Sequence, residues 1–376
     1  MNFARSLACL VLLLVTVSLK AADPRLTIIT PRGAQRGTEV TLTFSGSRLA
    51  DAEEIYFYSP GFELVKFEES KNANRCVAVI KVAADCQLGE HTMQVRTKTD
   101  VSDYRSFWVG PFPELKEKEP NSEFNTPQPI TFKNTVTGII QREDVDYFVL
   151  EAKKGQRISV EVEGMRLGAR AMFDPYLAIL DSKRFELARS DDLSLLRIDP
   201  AISIIAPADG KYILELRESA YGGNGTCAYR MHVGNFPRPT GVYPAGGKVG
   251  EKLNVTFLGD AAGDIVQSVT LPTSPSTRSG LFAKDSLGMS PSANPFRVST
   301  FGNILEAEPN NAREKATPGA LPMAFNGIIQ EDGDVDYFKF TAKKGVTYDI
   351  DCFARRLRSP LDPVIGIYDI KGRRIS

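Results

Sequence analysis

The chain repeats itself, and the spacing of its repeats limits what it can fold into. Residues 138–155, GIIQREDVDYFVLEAKKG, return as GIIQEDGDVDYFKFTAKKG at 327–345. The similarity begins earlier. ELKEKEPNSEF carries Glu117, Glu119, Pro120 and Asn121, and ILEAEPNNARE carries Glu306, Glu308, Pro309 and Asn310, each 189 residues further on. One inserted residue near Gly333 shifts the spacing to 190, which holds for Asp146 and Asp336, Gly155 and Gly345, and Arg166-Leu167 and Arg356-Leu357. A second, independent repeat aligns ITPRGAQRGTEVTLTFSG (29–46) with VYPAGGKVGEKLNVTFLG (242–259) without gaps, at a spacing of 213. Two unrelated repeats that alternate along 376 residues mean two kinds of module, each used twice, and not one large core. The joints fall near Pro111-Phe112-Pro113, Phe236-Pro237-Arg238-Pro239 and Asn303, so modules are expected over 23–112, 113–236, 237–303 and 304–376.

Inside the modules the hydrophobic period is two. Val40, Leu42 and Phe44 alternate with Thr41 and Thr43; Ile158, Val160 and Val162 alternate with Ser159, Glu161 and Glu163; Val346, Tyr348 and Ile350 repeat the pattern. Strict alternation predicts strands with one buried and one wet face, with Gly and Pro at the turns between them. The expected fold class is all-β, a tandem of antiparallel β-sandwiches, with helix confined to the leader and to a short turn after each Glu-Pro-Asn. The last module is expected to be incomplete. The first copy continues through RSDDLSLLRIDP, IIAPADGKYILELRE and CAYRMHVG, which have no counterpart after the second. In Tyr147-Phe148 and Tyr337-Phe338 the aromatic residues read as core positions of a half-buried strand, and Lys153-Lys154-Gly155 reads as a solvated turn; no binding role is assigned to them.

The N-terminus carries Arg5, an apolar run from Leu7 to about Val17, and Ala21-Ala22, the order of a secretory signal peptide over 1–22 and too short for a comfortable membrane span. The expected location is therefore secreted, periplasmic or cell surface, with no membrane attachment after cleavage. Lys plus Arg equals Asp plus Glu at 46 each, so charge favours neither nucleic acid nor an anionic membrane. Cys76, Cys86, Cys227 and Cys352 remain after the leader. Export permits pairing, but a strand separates the first two and the others belong to different repeats, so isolated thiols or one bridge at most are expected.

The duplicated acids carry the chemistry. Glu117, Glu119, Asn121, Glu143, Asp144 and Asp146 in the first copy, and Glu306, Glu308, Asn310, Asp332, Asp334 and Asp336 in the second, lie on a loop before one strand and a turn before the next. Folded beside each other, these segments gather carboxylates that repel unless a cation sits among them, and calcium is the hard ion that takes six to eight oxygen ligands. The plainer alternative is an acidic turn that only caps backbone N–H groups. The presence of only two histidines, His91 and His232, disfavours zinc or copper. Both lie on expected strands without a nucleophile in a recognisable turn, and Gly-x-Ser-x-Gly, His-Glu-x-x-His and phosphate-loop motifs are absent from the sequence.

These residues bring a resemblance. Glu-Pro-Asn, the Asp-Val-Asp-Tyr-Phe strand, Ala-Lys-Lys-Gly, Asp-Pro and, in the first copy, Ala-Pro-Ala-Asp-Gly-Lys-Tyr resemble the bacterial pre-peptidase C-terminal (PPC) domain, over 117–234 and, for the first half only, 306–376. That family is a jelly-roll-like sandwich similar to the collagen-binding domains of clostridial collagenases, and the resemblance implies calcium on Glu117, Glu119, Asn121, Glu143 and Asp146. In the second copy it implies Glu306, Glu308, Asn310 and Asp336, with Asp332 or Asp334. The other repeat, Pro-x-Gly-x-x-x-Gly followed by an alternating strand, looks like TIG/IPT-type immunoglobulin-like domains.

The expected function is a secreted, non-catalytic multi-module binding or scaffold protein with calcium-stabilised sandwiches and an extracellular protein or polysaccharide ligand. The alternative is the accessory region of an exported peptidase or other hydrolase whose catalytic domain lies outside this chain.

Overall fold

The computed structural model describes residues 23–168 and 172–375; the expected leader, 1–22, lies outside them. The protein is all-β. Helical turns among the described residues are 3-10 only: Met165–Leu167, Ser194–Leu196, Arg313–Lys315 and Arg355–Leu357. None is long and apolar enough to cross a membrane.

In the N-terminal Ig-like module, Arg25–Thr30, Glu39–Ser47, Arg75–Val82 and Phe62–Glu68 form one four-stranded sheet, and Gly33–Gln35, Arg105–Gly110, Gly89–Thr97 and Ala52–Phe57 form the other. Period-two alternation turns Leu42 and Phe44 into a core with Ile29, Ile80, Val95 and Phe107, all fully buried. Each such side chain removed from water contributes roughly 1.5–3 kcal/mol. The second Ig-like module repeats the arrangement. Val242 pairs with Phe257 as Ile29 pairs with Phe44, and Gly246 pairs with Arg297 as Gly33 pairs with Trp108.

Between them, Gln128–Pro129, Val145–Ala152, Gly210–Glu218, Pro175–Asp181 and Glu186–Ser190 form one sheet of the first sandwich. Ala201–Ile205, Arg157–Glu163, Ala228–Gly234, Asn134–Ile139 and Glu114–Lys116 form the other. The core between them includes Phe148, Ile158, Val160, Val162, Leu214 and Met231. The sheets are antiparallel except at their edges, where Glu114–Lys116 and Gln128–Pro129 add in parallel. That parallel edge strand is the incoming linker, and it delivers Glu117 to the sandwich.

Three expectations change. Ser159, Glu161 and Glu163 do not face water: every residue of Arg157–Glu163 is buried. One face fills the core, while the polar face is covered by neighbouring modules, where its charges find partners. Arg157 pairs with Asp260 at 2.6 Å and Arg238 with Glu161 at 2.6 Å, both across the joint to the second Ig-like module. Arg230 pairs with Glu163 and lies against Gly33 and Gly110 of the N-terminal one. Burial pushes the Glu163 carboxyl up, but Arg230 and His232 more than offset it and hold it at about 2.

Second, Tyr147 and Phe148 do not share a core. Phe148 points between the sheets, whereas Tyr147 is buried on the opposite face, edge-on to Phe124 at 5.9 Å, in a small cluster with Ala178, Leu180 and Ile213. Third, the alternating stretch 346–350 is not a paired strand. Val346 and Ile350 are exposed, because no counterpart of Ala201–Ile205 or Ala228–Gly234 lies beside them among the described residues. The paired strands of the second sandwich unit among the described residues are two short parallel pairs, Asn303–Leu305 with Ala324–Asn326 and Thr317–Gly319 with Phe338–Phe340. All four described cysteines are free thiols, three of them buried.

Candidate metal centre

The two acidic segments of each copy meet. In the first sandwich one ligand atom from each of Glu117, Glu119 and Asp146 lies within 4.8 Å of the others, and Glu306, Glu308 and Asp336 do the same in the second. The backbone sets the positions. Glu117 follows the linker strand, and its Oε1 accepts from Ile139 N at 2.9 Å; Glu306 Oε1 accepts from Ile328 N at 2.8 Å. Glu119 Oε2 accepts from Asn121 N at 3.1 Å, and Glu308 Oε2 from Asn310 N at 2.7 Å. Asn121 O and Asn310 O in turn accept from Tyr147 N and Tyr337 N, which locks each loop onto the strand that bears Asp146 or Asp336. Gly138 and Gly327 leave the space for this. A Cβ at Gly138 would stand 1.7 Å from Glu117 Oε2, and one at Gly327 would stand 2.5 Å from Asp336 Oδ2.

The amides show what the pockets suit. Asn121 is buried, and its side-chain oxygen faces only acceptors, with Asp146 Oδ1 at 3.1 Å and Glu119 Oε2 at 3.0 Å. Turning the amide over, so that its NH2 donates to both, would relieve this; so would a cation with the oxygen directed at it. The second pocket holds more unpartnered atoms. Asn310 is fully buried with neither its oxygen nor its nitrogen hydrogen-bonded, and Glu306 Oε2, Asp334 Oδ1 and Asp336 Oδ1 are also buried without partners. A hard cation takes oxygen atoms of this kind. The donor set fits calcium.

Both pockets push their carboxyls toward the protonated form. Tyr229 is fully buried, and its hydroxyl lies 2.8 Å from Glu117 Oε2 and 2.6 Å from Asp146 Oδ2. One O–H can donate to only one of them, so the three oxygens are satisfied when a carboxyl is protonated. Burial pushes the Asp146 carboxyl up to about 9, against the Tyr229 hydrogen bond, with repulsion from Glu117 adding to the rise. Burial likewise lifts Glu306 to about 7, and Asp336 is raised by burial and by Asp334.

Not every expected residue joins. Glu143 has a left-handed backbone at φ 60°, and its side chain is 79% exposed beside Arg142. Asp332 is exposed. Asp144 accepts from Ser122 Oγ at 3.0 Å and from Gln141 N at 3.1 Å, so it ties the turn and contributes charge without belonging to the cluster. Gly333, φ 89°, stands where Glu143 stands, which makes Asp334, not Asp332, the counterpart of Asp144. Asp334 Oδ2 accepts from Gln330 N at 2.8 Å in the same way. Sequence reasoning missed Tyr229, which arrives from the last strand of the sandwich and has no local signal. It also missed the role of Gly138 and Gly327, although their exact repetition was visible.

Both histidines are buried. His91 is buried, with Nε2 2.7 Å from Gln87 O and Nδ1 2.5 Å from Ser59 Oγ. His232 is buried between Thr135 and Glu163.

No protein-family model matches the chain, and no curated protein matches it. Among solved structures it is similar to the Bacteroides ovatus SGBP-B of a mixed-linkage glucan utilization locus in complex with mixed-linkage heptasaccharide (9% identity, 52% of this chain and 75% of that one, TM-score 0.21). It is also similar to a carbohydrate-binding module of the β-sandwich superfamily (10% identity, 57% and 98% covered, TM-score 0.17). A third likeness is to the titin Ig tandem A164–A165 (13% identity, 64% and 90% covered, TM-score 0.16). The likeness is one of β-sheet architecture.

Proposed function

We propose that the chain is a secreted, non-catalytic multi-module binding or scaffold protein whose two acidic pockets hold calcium. One observation carries the metal reading: the same pocket is built twice, and in the second copy Glu306 Oε2, Asn310 Oδ1 and Asp336 Oδ1 are buried without a hydrogen-bonding partner. Glu117, Glu119, Asn121 and Asp146 would hold one ion, and Glu306, Glu308, Asn310 and Asp336 the other. Bound calcium neutralises converging carboxylates. The residues themselves do the mechanical work, because Glu117 and Glu119 sit on the linker and Asp146 on the sandwich. Holding them together fixes one module against the next. The burial of both imidazoles supports a binding role over catalysis, and the ligand class is an extracellular protein or a polysaccharide. Calcium titrated calorimetrically into chelator-stripped protein is expected to bind at two ions per chain and to raise the unfolding temperature. Absence of both heat and thermal shift refutes the proposal.

A further inference from the structure

The second Ig-like module repeats the first with a piece missing from its middle. Along the matched strands Glu39–Ser47 and Lys252–Leu258 the repeat spacing is 213. Their sheet neighbours match at a smaller spacing. Lys81 stands opposite Glu39 as Thr270 stands opposite Lys252, and Cys76 opposite Phe44 as Ile265 opposite Phe257, a spacing of 189. The difference, 213 minus 189, is 24 residues. In the N-terminal module the connection 48–74 holds two strands, Ala52–Phe57 and Phe62–Glu68, one at the end of each sheet. In the second module residues 259–264 make the same connection and hold no strand. That short link also docks the module, because its Asp260 pairs with Arg157. Two sheets of four strands become two of three, and Ile265–Thr270 and Ser276–Leu281 become their end strands.

The end strands on this side are not alike. Phe62–Glu68 carries Glu63, Lys66 and Glu68 and a register shift between Leu64 and Lys66; Ala52–Phe57 carries Glu53 and Glu54 and a shift between Ala52 and Glu54. Charges and bulges of this kind keep a sheet end from pairing with another chain. Ser276–Leu281 is guarded likewise, by Arg278 and a shift between Ser276 and Ser279. Just beyond it, Gln267 Nε2 donates to Phe282 O at 3.3 Å and Gln267 Oε1 accepts from Lys284 N at 3.1 Å. Ile265–Thr270, IVQSVT, has no charge, no proline, no glycine and no shift in register. Among the described residues its strand partner is Lys252–Leu258 alone, so its other side has no ladder. Val266 is 70% exposed, and Ile265 and Val269 are only partly buried at the margin of the core. At the matching place in the N-terminal module Leu64 lies opposite Ile80 and packs on the core.

We propose that Ile265–Thr270 is a self-association edge, at which two copies of the chain join as antiparallel neighbours about a twofold axis through Gln267. This register sets Ile265 of each copy opposite Val269 of the other on the core side, and Val266 opposite Ser268 on the wet side. A second copy suits the edge better than a foreign peptide, because the strand carries no charge to select one and its apolar residues are placed symmetrically about Gln267. Beyond the strand, Asp264 of each copy comes opposite Thr270 of the other, whose own neighbour is the oppositely charged Lys252. Two like surfaces that meet about a twofold axis close on themselves, so assembly stops at the dimer. The contact is made of backbone and apolar groups and persists in salt.

Sedimentation velocity of the purified chain across a hundredfold concentration range tests this. The average mass is expected to rise with concentration to twice the monomer and to stop there, at low and high salt alike. Two double variants, Val266→Lys with Ser268→Lys and Val266→Glu with Ser268→Glu, change exposed side chains only and set like charges opposite each other twice. Each alone is expected to dimerise about tenfold more weakly than wild type. Their equimolar mixture sets Lys against Glu and is expected to dimerise again. A wild-type monomer at every concentration overturns the proposal, and so does a mass that grows beyond two copies. A dimer that neither double variant weakens, or a mixture no better than its components, overturns it as well.

Discussion

Asp146→Asn separates the two roles of the first acidic pocket. The residue is fully buried, its carboxyl is pushed up to about 9, and the ordinary value is 3.8. A raised carboxyl binds its proton more tightly in the folded state. Its stabilising contribution is therefore complete below the unfolded value and is lost as pH rises from about 4 toward 9. By pH 7 the loss spans a little over three pH units, or about 4 kcal/mol at ~1.4 kcal/mol per unit. Asparagine is neutral at every pH, still accepts from Tyr229, and carries no such penalty. In chelator at pH 7 the variant is expected to be more stable than wild type by up to about 4 kcal/mol, a shift on the order of 10 °C for a module of this size. Calcium closes the gap: wild type gains ~2.7 kcal/mol at a hundredfold excess over the dissociation constant and ~4.1 kcal/mol at a thousandfold excess, and the variant, short of one charged ligand, gains little. Differential scanning calorimetry with chelator and with calcium reads both effects. The reasoning is refuted if the variant is the less stable protein in chelator, or if calcium stabilises both proteins equally.

Further outcomes follow from the same geometry. Gly138→Ala places a methyl group against Glu117 Oε2 and is expected to lower calcium stoichiometry from two to one, which calorimetric titration measures. Calcium affinity is expected to rise with pH, steeply through about 7 where Glu306 gives up its proton and on toward 9 where Asp146 does; titration in buffers of different ionisation enthalpy counts the protons released. Arg157→Ala leaves Asp260 and Asp285 without their buried partner and is expected to destabilise the joint by about 3–5 kcal/mol, seen as a lowered unfolding midpoint and a larger radius of gyration in X-ray scattering.

Much of the fold could be read from the chain. Alternation in VTLTF and RISVEVE named the strands, and the spacings of 189, 190 and 213 named the modules, because both signals are local or are copied within the sequence. The convergence of Glu117, Glu119 and Asp146 was legible as well, since a duplicated Glu-x-Glu-x-Asn and its acidic turn lie on segments that can fold beside each other. Alternation cannot say which face of a strand meets water when a neighbouring module covers it. Ser159, Glu161 and Glu163 look like a solvated edge in sequence and are buried ion-pair partners in space. Nor can a list of acids say which side chains converge. Glu143 and Asp332 have the right chemistry and the wrong direction, since a left-handed turn carries Glu143 into solvent. Tyr229, whose hydroxyl bridges Glu117 and Asp146, sits 83 residues beyond Asp146.

The sequence by itself determined the β-structure, the twofold use of two modules and the acidic motif. Period-two patterning and duplication act through neighbours along the chain, and they survive without knowledge of the fold. The tertiary structure alone decided which carboxylates share a pocket, which tyrosine closes it and which charges are withdrawn from water at the joints. Those outcomes depend on distances across strands and between modules, where burial sets the strength of every electrostatic interaction.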